Sequence, residues 1–245
     1  MPYTNVRGAR FHIADLAPRR PGEPVVMLHG LFTGSIASWY LTAAPAISAT
    51  RRVRLVDWRG HGLSERTPNG YGTASMAADL EALTADLPPF AIVGHSYGCL
   101  VALRFLQTVP GRVRRMVLVE PPFNEVGLSE GLRAVRGEPS GRLRNGSAER
   151  RMRALADTTT VLTDLAAEPP VTDADLRSLD GGPCLVIGGR NSPFISSVDR
   201  VRQACPHVRA HELAGGHEIH VSHADEVTAL VTGFLGPARA EVAHG

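Results

Sequence analysis

The stretch Phe90-Ala91-Ile92-Val93-Gly94-His95-Ser96-Tyr97-Gly98-Cys99 constrains this chain more than any other. A short apolar run is followed by a G-x-S-x-G turn, and residues 100–106 (LVALRFL) continue as a helix-forming segment. Strand, sharp turn and helix is the context in which this motif places a serine at the top of a sheet. Glycines on both sides let neighbouring backbone approach where a Cβ would collide. Ser96 is the candidate nucleophile, and a serine hydroxyl needs a base within hydrogen-bond reach and an acid behind that base.

The remaining segments read as alternating strands and helices. Residues 10–16 alternate loosely, as an edge strand does, and residues 24–28 form a continuous apolar run of the kind covered on both faces. Residues 38–48 suit a helix, interrupted by Pro45, and residues 52–56 a strand. Met76, Leu80, Leu83 and Leu87 repeat at helical spacing before Pro88-Pro89. Further strands are expected at 113–119, 184–187 and 208–213, with helices at 196–204 and 224–234. The expected fold class is α/β, with a mostly parallel central sheet flanked by helices.

Between residues 121 and 182 the alternation fades, and this segment is expected to form a helical cap inserted into a core of residues 1–120 and 183–236. Residues 237–245 read as a loose tail. Residues 131–153 carry seven arginines against Glu138 and Glu149. A solvated helix face accounts for such a run, and so does attraction of an acidic substrate or a phosphate-bearing acyl or CoA carrier.

With 43% hydrophobic residues, 245 residues can bury a substantial core. A net charge of +2 argues against a general nucleic-acid binder. No run approaches the roughly 20 apolar residues of a membrane span. Cys99, Cys184 and Cys205 form neither a disulfide framework nor a metal-spaced pair, which fits a cytoplasmic protein. No metal or organic cofactor is expected.

Several loops follow strands and hold polar residues. His29-Gly30-Leu31-Phe32-Thr33-Gly34 is either a plain glycine turn or the loop whose backbone N–H at Leu31 helps bind an oxyanion. Asp57, Arg59 and His61 either line a site or hold their own glycine-rich loop through local hydrogen bonds. Glu120 closes the run Val117-Leu118-Val119 before Pro121-Pro122, at the carboxyl end of a strand where sites in open α/β sheets lie.

Leu28-His29-Gly30, the stretch from Asp57 to Ser64, Gly94-His95-Ser96-Tyr97-Gly98, and Gly216-His217 ahead of an amphipathic helix together resemble the α/β-hydrolase fold family over nearly the whole chain. The resemblance implies that Ser96 is the nucleophile and His217 the general base. It implies the backbone N–H groups of Tyr97 and Leu31 as oxyanion donors, and structural roles for His29 and His95. His220 and His223 are expected to be surface or cap contacts.

The chain departs from the family at the acid, because Gly188-Gly189-Arg190-Asn191 puts Asn191 where an aspartate is common. Some relatives, haloalkane dehalogenases among them, place the acid at the position of Glu120, and Ser96-His217-Glu120 is the expected combination, with Asn191 the alternative partner. A serine in the nucleophile slot disfavours the halide-displacing and epoxide-opening branches. The expected function is hydrolysis of an ester, lactone or thioester of an apolar small-molecule substrate of small or medium size through an acyl-Ser96 intermediate. The alternatives are a lyase, cyclase or cofactor-free oxygenase using a His217/Glu120 pair, and a non-catalytic binding protein. Phe32, Trp39, Trp58, Phe123 and Phe194 are candidates to line an apolar pocket, or else to fill the core.

Overall fold

The computed structural model describes residues 3–17, 20, 22–123 and 147–236. Among these residues it holds one eight-stranded sheet in the order β1-β2-β4-β3-β5-β6-β7-β8. The strands are β1 (Tyr3–Val6), β2 (Ala9–Leu16), β3 (Val25–Leu28), β4 (Val53–Val56), β5 (Phe90–His95), β6 (Val113–Val119), β7 (Cys184–Gly189) and β8 (Arg209–Leu213). From β4 to β8 every pairing is parallel, and β1 and β2 run antiparallel at one edge.

The apolar runs of β3, β5, β6 and β7 are buried on both faces because strand side chains alternate and each face has its own helical layer. Val26, Leu28, Ile92, Leu118 and Val186 face a core built with helix α3 (Thr73–Leu83) and helix α4 (Tyr97–Thr108). Val25, Met27, Ala91, Val93, Val117 and Leu185 face the opposite core, built with α2 (Ala43–Ser48) and the last helix, Ala224–Leu235. Changing the register of any of these strands by one residue would exchange the two faces.

Two local expectations needed correction. The edge is a hairpin, since β1 precedes β2 across Arg7 (φ 49°) and Gly8 (φ 76°), the pair of positive φ values that a type I′ turn requires. The helix expected over 38–48 is two helices, α1 (Ile36–Tyr40) and α2, broken at Leu41 and Thr42. Pro45 explains the break: its ring would clash with the carbonyl of Leu41 in a continuous helix, but it is tolerated in the first turn of α2.

Between β6 and β7 the described residues form α5 (Ser147–Thr158), α6 (Val161–Ala167), α7 (Asp173–Arg177) and a 3-10 turn, Ser178–Gly181. Thr172 starts α7 with a capping box, its hydroxyl accepting from Asp175 N–H while the Asp175 carboxylate accepts from Thr172 N–H. Arg133, Arg136, Arg142 and Arg144 of the basic run, and residues 237–245, lie outside the described residues. Helix α8 (Ile195–Ala204) follows β7, and α9 (Ile219–Ser222) and α10 (Ala224–Leu235) follow β8. The short α9 was not expected from the sequence. Among the described residues, no helix is long and apolar enough to cross a membrane.

Candidate active site

Strand pairing brings the first two site residues together. In the β5–β6 register His95 pairs with Val119, so Ser96 and Glu120 each occupy the next position on neighbouring strands. Ser96 N–H donates to Val119 C=O at 3.0 Å, and Glu120 N–H donates to Ile187 C=O at 2.8 Å. Ser96 sits at φ 52°, ψ −122°, a region that L residues seldom adopt. The flanking glycines make this bend possible. A Cβ on Gly98 would lie 2.9 Å from the carbonyl oxygens of both Leu28 and His29, and one on Gly94 would lie 3.0 Å from the Gly98 carbonyl.

His217 arrives from the loop after β8. Its Nε2 is 2.9 Å from Ser96 Oγ, and its Nδ1 is 3.2 Å from Glu120 Oε2. The Glu120 side chain is fully buried, whereas that of His217 is 27% exposed. An imidazole with one nitrogen on a hydroxyl and the other on a carboxylate can take the hydroxyl proton and have the resulting charge stabilised.

Asn191 does not join this chain of contacts. Its residue is exposed, and its backbone N–H is used by Gly215 C=O at 2.8 Å. The next residue, Ser192, is the one aimed inward: its hydroxyl hydrogen-bonds Glu120 Oε2, and Gly189 N–H donates to Glu120 Oε1. Sequence reasoning missed Ser192 because it looked for an acid in that loop, while the loop supplies donors to an acid from β6. Glu120 itself has φ 57°, so β6 also ends on a left-handed residue that turns its side chain toward β7.

The backbone N–H groups of Leu31 and Tyr97 bond to no other group among the described residues. Phe32 N–H, by contrast, is occupied by His61 Nε2 at 2.8 Å. Asp57, Arg59 and His61 hold their loop in shape. Asp57 accepts from Ile36 N–H at 2.7 Å and Leu63 N–H at 3.1 Å, Arg59 pairs with buried Asp79 at 2.6 Å, and His61 Nδ1 meets Arg59 C=O at 2.9 Å. His29 serves as a structural residue too, its Nδ1 bonded to Gly30 C=O at 2.6 Å and its Nε2 accepting from Trp58 N–H at 3.2 Å.

Behind the base lies a stack of rings. His95 Nε2 bonds the His217 carbonyl at 3.0 Å, and the His95 ring lies 3.7 Å from that of His220, which in turn packs 4.9 Å from Trp39. His220 is therefore not a surface contact: it is 1% exposed, and its Nδ1 has no hydrogen-bond partner among the described residues. Burial, reinforced by the neighbouring histidines, pushes the His220 imidazole down to about 3 and holds His95 well below the ordinary range. His95, Glu218 and His220 bring ligand-type atoms within 4.8 Å of one another. One of these groups is already in use, since His95 Nε2 is bonded to the His217 carbonyl, and the His95 and His220 rings pack on each other at 3.7 Å.

The aromatic candidates divide. Trp39 and Trp58 are fully buried core residues, their indole N–H groups bonded to Leu28 C=O at 3.0 Å and His29 C=O at 2.9 Å, and they are not pocket walls. Tyr97 is likewise buried, with its hydroxyl on Tyr71 C=O at 2.8 Å. Phe194 packs 4.5 Å from the His217 ring. Phe123 borders a cavity of about 980 Å3 flanked by α4 and α6, and Phe32 borders a second cavity, of about 500 Å3.

The α/β hydrolase fold family matches residues 23–145, half of the chain, including the β3 loop, the elbow and β6. The chain belongs to the α/β hydrolase fold family. It is 38% identical over 126 residues to 2-hydroxy-6-oxo-2,4-heptadienoate hydrolase of Pseudomonas putida, a match covering 49% of this chain and 45% of that protein. The alignment thus spans less than half of that relative. It is 28% identical over 258 aligned positions to the magnesium-chelatase 30 kDa subunit of Rhodobacter capsulatus, covering 91% of this chain and 90% of that one. The enol-lactonase of Burkholderia xenovorans LB400 superposes with a TM-score of 0.76 at 21% identity over 96% of this chain and 99% of its own, a likeness of fold. The α/β-hydrolase relatives of this chain thus include named hydrolases.

Proposed function

We propose that this α/β-hydrolase protein is a serine hydrolase that cleaves an ester, lactone or thioester through an acyl-Ser96 intermediate. The observation that carries the reading is the unbroken line Ser96 Oγ, His217 Nε2, His217 Nδ1, Glu120 Oε2, with spacings of 2.9 and 3.2 Å at its two contacts. His217 takes the hydroxyl proton as Ser96 Oγ bonds to the substrate carbonyl carbon, and the negative oxygen rests on the Leu31 and Tyr97 N–H groups. Collapse expels the alcohol or thiol leaving group, which receives that proton from His217. A water then gives a proton to His217 and its oxygen to the acyl carbon, and release of the acid returns the proton to Ser96.

A second reading is favoured by one comparison: a Bacillus subtilis relative, 36% identical over 115 residues that cover 45% of this chain and 40% of its own length, is named a putative 2-succinyl-6-hydroxy-2,4-cyclohexadiene-1-carboxylate synthase, which is not a hydrolase name. In that reading His217 and Glu120 transfer a substrate proton, and Ser96 only hydrogen-bonds the substrate. Intact-protein mass after exposure to a small fluorophosphonate separates the two. One adduct on the wild type, absent from Ser96→Ala, is expected. No adduct on folded wild type would remove the acyl-enzyme reading.

A further inference from the structure

The cavity of about 500 Å3 lies between the loop that follows β3 and the loop that follows β4, and neither Ser96 nor His217 lines it. Its walls carry two arginines, Arg66 from the β4 loop and Arg151 from α5. Among the described residues neither guanidinium has a carboxylate partner. The hydroxyls of Thr33, Ser35 and Tyr40 also line the cavity and make no hydrogen bond to another described residue.

The acceptors in the lining are already used. Asp57 accepts from His12 Nδ1 at 2.7 Å and from the Ile36 and Leu63 N–H groups, and its single negative charge offsets only one of the two arginines, so the lining stays net positive. His61 has both ring nitrogens occupied and is held neutral, chiefly by burial, with the Arg66 charge adding to the effect. What remains is a set of unpaired donors, two of them cationic, beside the apolar side chains of Phe32, Ile36 and Leu63.

We infer that this cavity binds an organic anion, its carboxylate or phosphate held by Arg66 and Arg151 and its apolar body lying on Phe32 and Leu63. Guanidinium matches both anions through paired N–H donors, and two unpaired cations on one cavity are relieved by an anion between them. The site adjoins the functional loop through Phe32, whose N–H is tied to His61 and which directly follows Leu31.

The test titrates benzoate and phenyl phosphate into Ser96→Ala protein at low ionic strength by isothermal calorimetry, with benzyl alcohol as the neutral control. This arm needs no turnover, so its result is independent of whether the chain is a hydrolase. One saturable site is expected for at least one anion and none for the alcohol, with binding weakened about 10-fold or more by Arg66→Ala and by Arg151→Ala. Both arginines are exposed, so unchanged melting temperatures are expected to accompany the loss. Absence of saturable anion binding, or binding that survives both substitutions, would overturn the inference. The source of the anion is read from kinetics. If it is the substrate's own acid group, Arg66→Ala lowers the ratio of kcat/KM for an acidic ester to that for its neutral counterpart. If it is a separate effector, benzoate alters turnover of the neutral ester by the wild type but not by Arg66→Ala.

Discussion

Glu120 Oε2 lies 3.2 Å from His217 Nδ1, although 97 residues separate the two in sequence. The contact arises because Glu120 stands one position beyond the register pair His95–Val119, beside the serine that His217 also touches. The acid slot after β7 holds Asn191, and the carboxylate comes from the neighbouring strand instead.

Glu120→Gln is expected to lower kcat by about 10²- to 10⁴-fold, since an amide cannot stabilise the imidazolium that forms on His217. Asn191→Ala is expected to change it little, because Asn191 is exposed and its structural contact is through its backbone. Steady-state kinetics on an ester panel checks both. Equal, mild effects would remove Glu120 from its proposed role.

Ser192→Ala removes the hydroxyl that holds Glu120 Oε2 while leaving the Gly189 N–H on Oε1. A hydrogen bond to a buried carboxylate contributes on the order of 1.5–3 kcal/mol, so a measurable loss of stability accompanies the change. If Ser192 positions the acid for the base, the acid limb of the kcat/KM–pH profile shifts as well, and Ser192→Thr restores it. An unshifted limb with lowered stability would leave Ser192 a purely structural residue.

Acid should destabilise the fold through its buried histidines. His61 and His220 are pushed down to about 3 by burial, and in the unfolded chain they titrate near the ordinary value of about 6.5. Above that value both states are neutral at these sites and no stability is lost. Between about 6.5 and 3 the unfolded chain binds the extra protons, so stability falls by up to about 1.4 kcal/mol per pH unit for each group. Urea midpoints from pH 8 to pH 5 measure the slope. His220→Phe keeps a ring in the stack, removes the unpartnered Nδ1, and is expected to give a shallower slope; an unchanged slope would contradict the assignment.

Trp39→Phe distinguishes a core residue from a pocket wall. It deletes the N–H bonded to Leu28 C=O, for an expected loss of about 1–3 kcal/mol in stability. KM should remain unchanged for every ester turned over, as Trp39 is fully buried. A selective rise in KM for bulky substrates would put Trp39 back in the pocket.

The elbow and the strand sequence were readable because each depends on residues close together in the chain, whereas the order serine, acid, histidine came from the resemblance to the α/β-hydrolase fold family. A G-x-S-x-G between an apolar run and a helix specifies its own turn, and continuous apolar runs specify strands covered on both faces. Glu120 at the end of Val117-Leu118-Val119 was visible for the same reason. The first hairpin was missed because its strand Tyr3–Val6 is short and largely exposed, leaving little apolar pattern to detect.

Only the tertiary structure decided where side chains ended up. Ser192 meets Glu120 across 72 residues, and His217 meets Ser96 across 121, through strands paired side by side. Trp39, Trp58 and His220 went to the interior because helices close both faces of the sheet over them, and residue type alone does not distinguish a wall from a core. By itself the sequence determined that a serine stands on a tight turn at the top of a parallel sheet. Strand register and helix packing determined which carboxylate, hydroxyl and rings surround it, because those contacts depend on distances between segments remote in the chain.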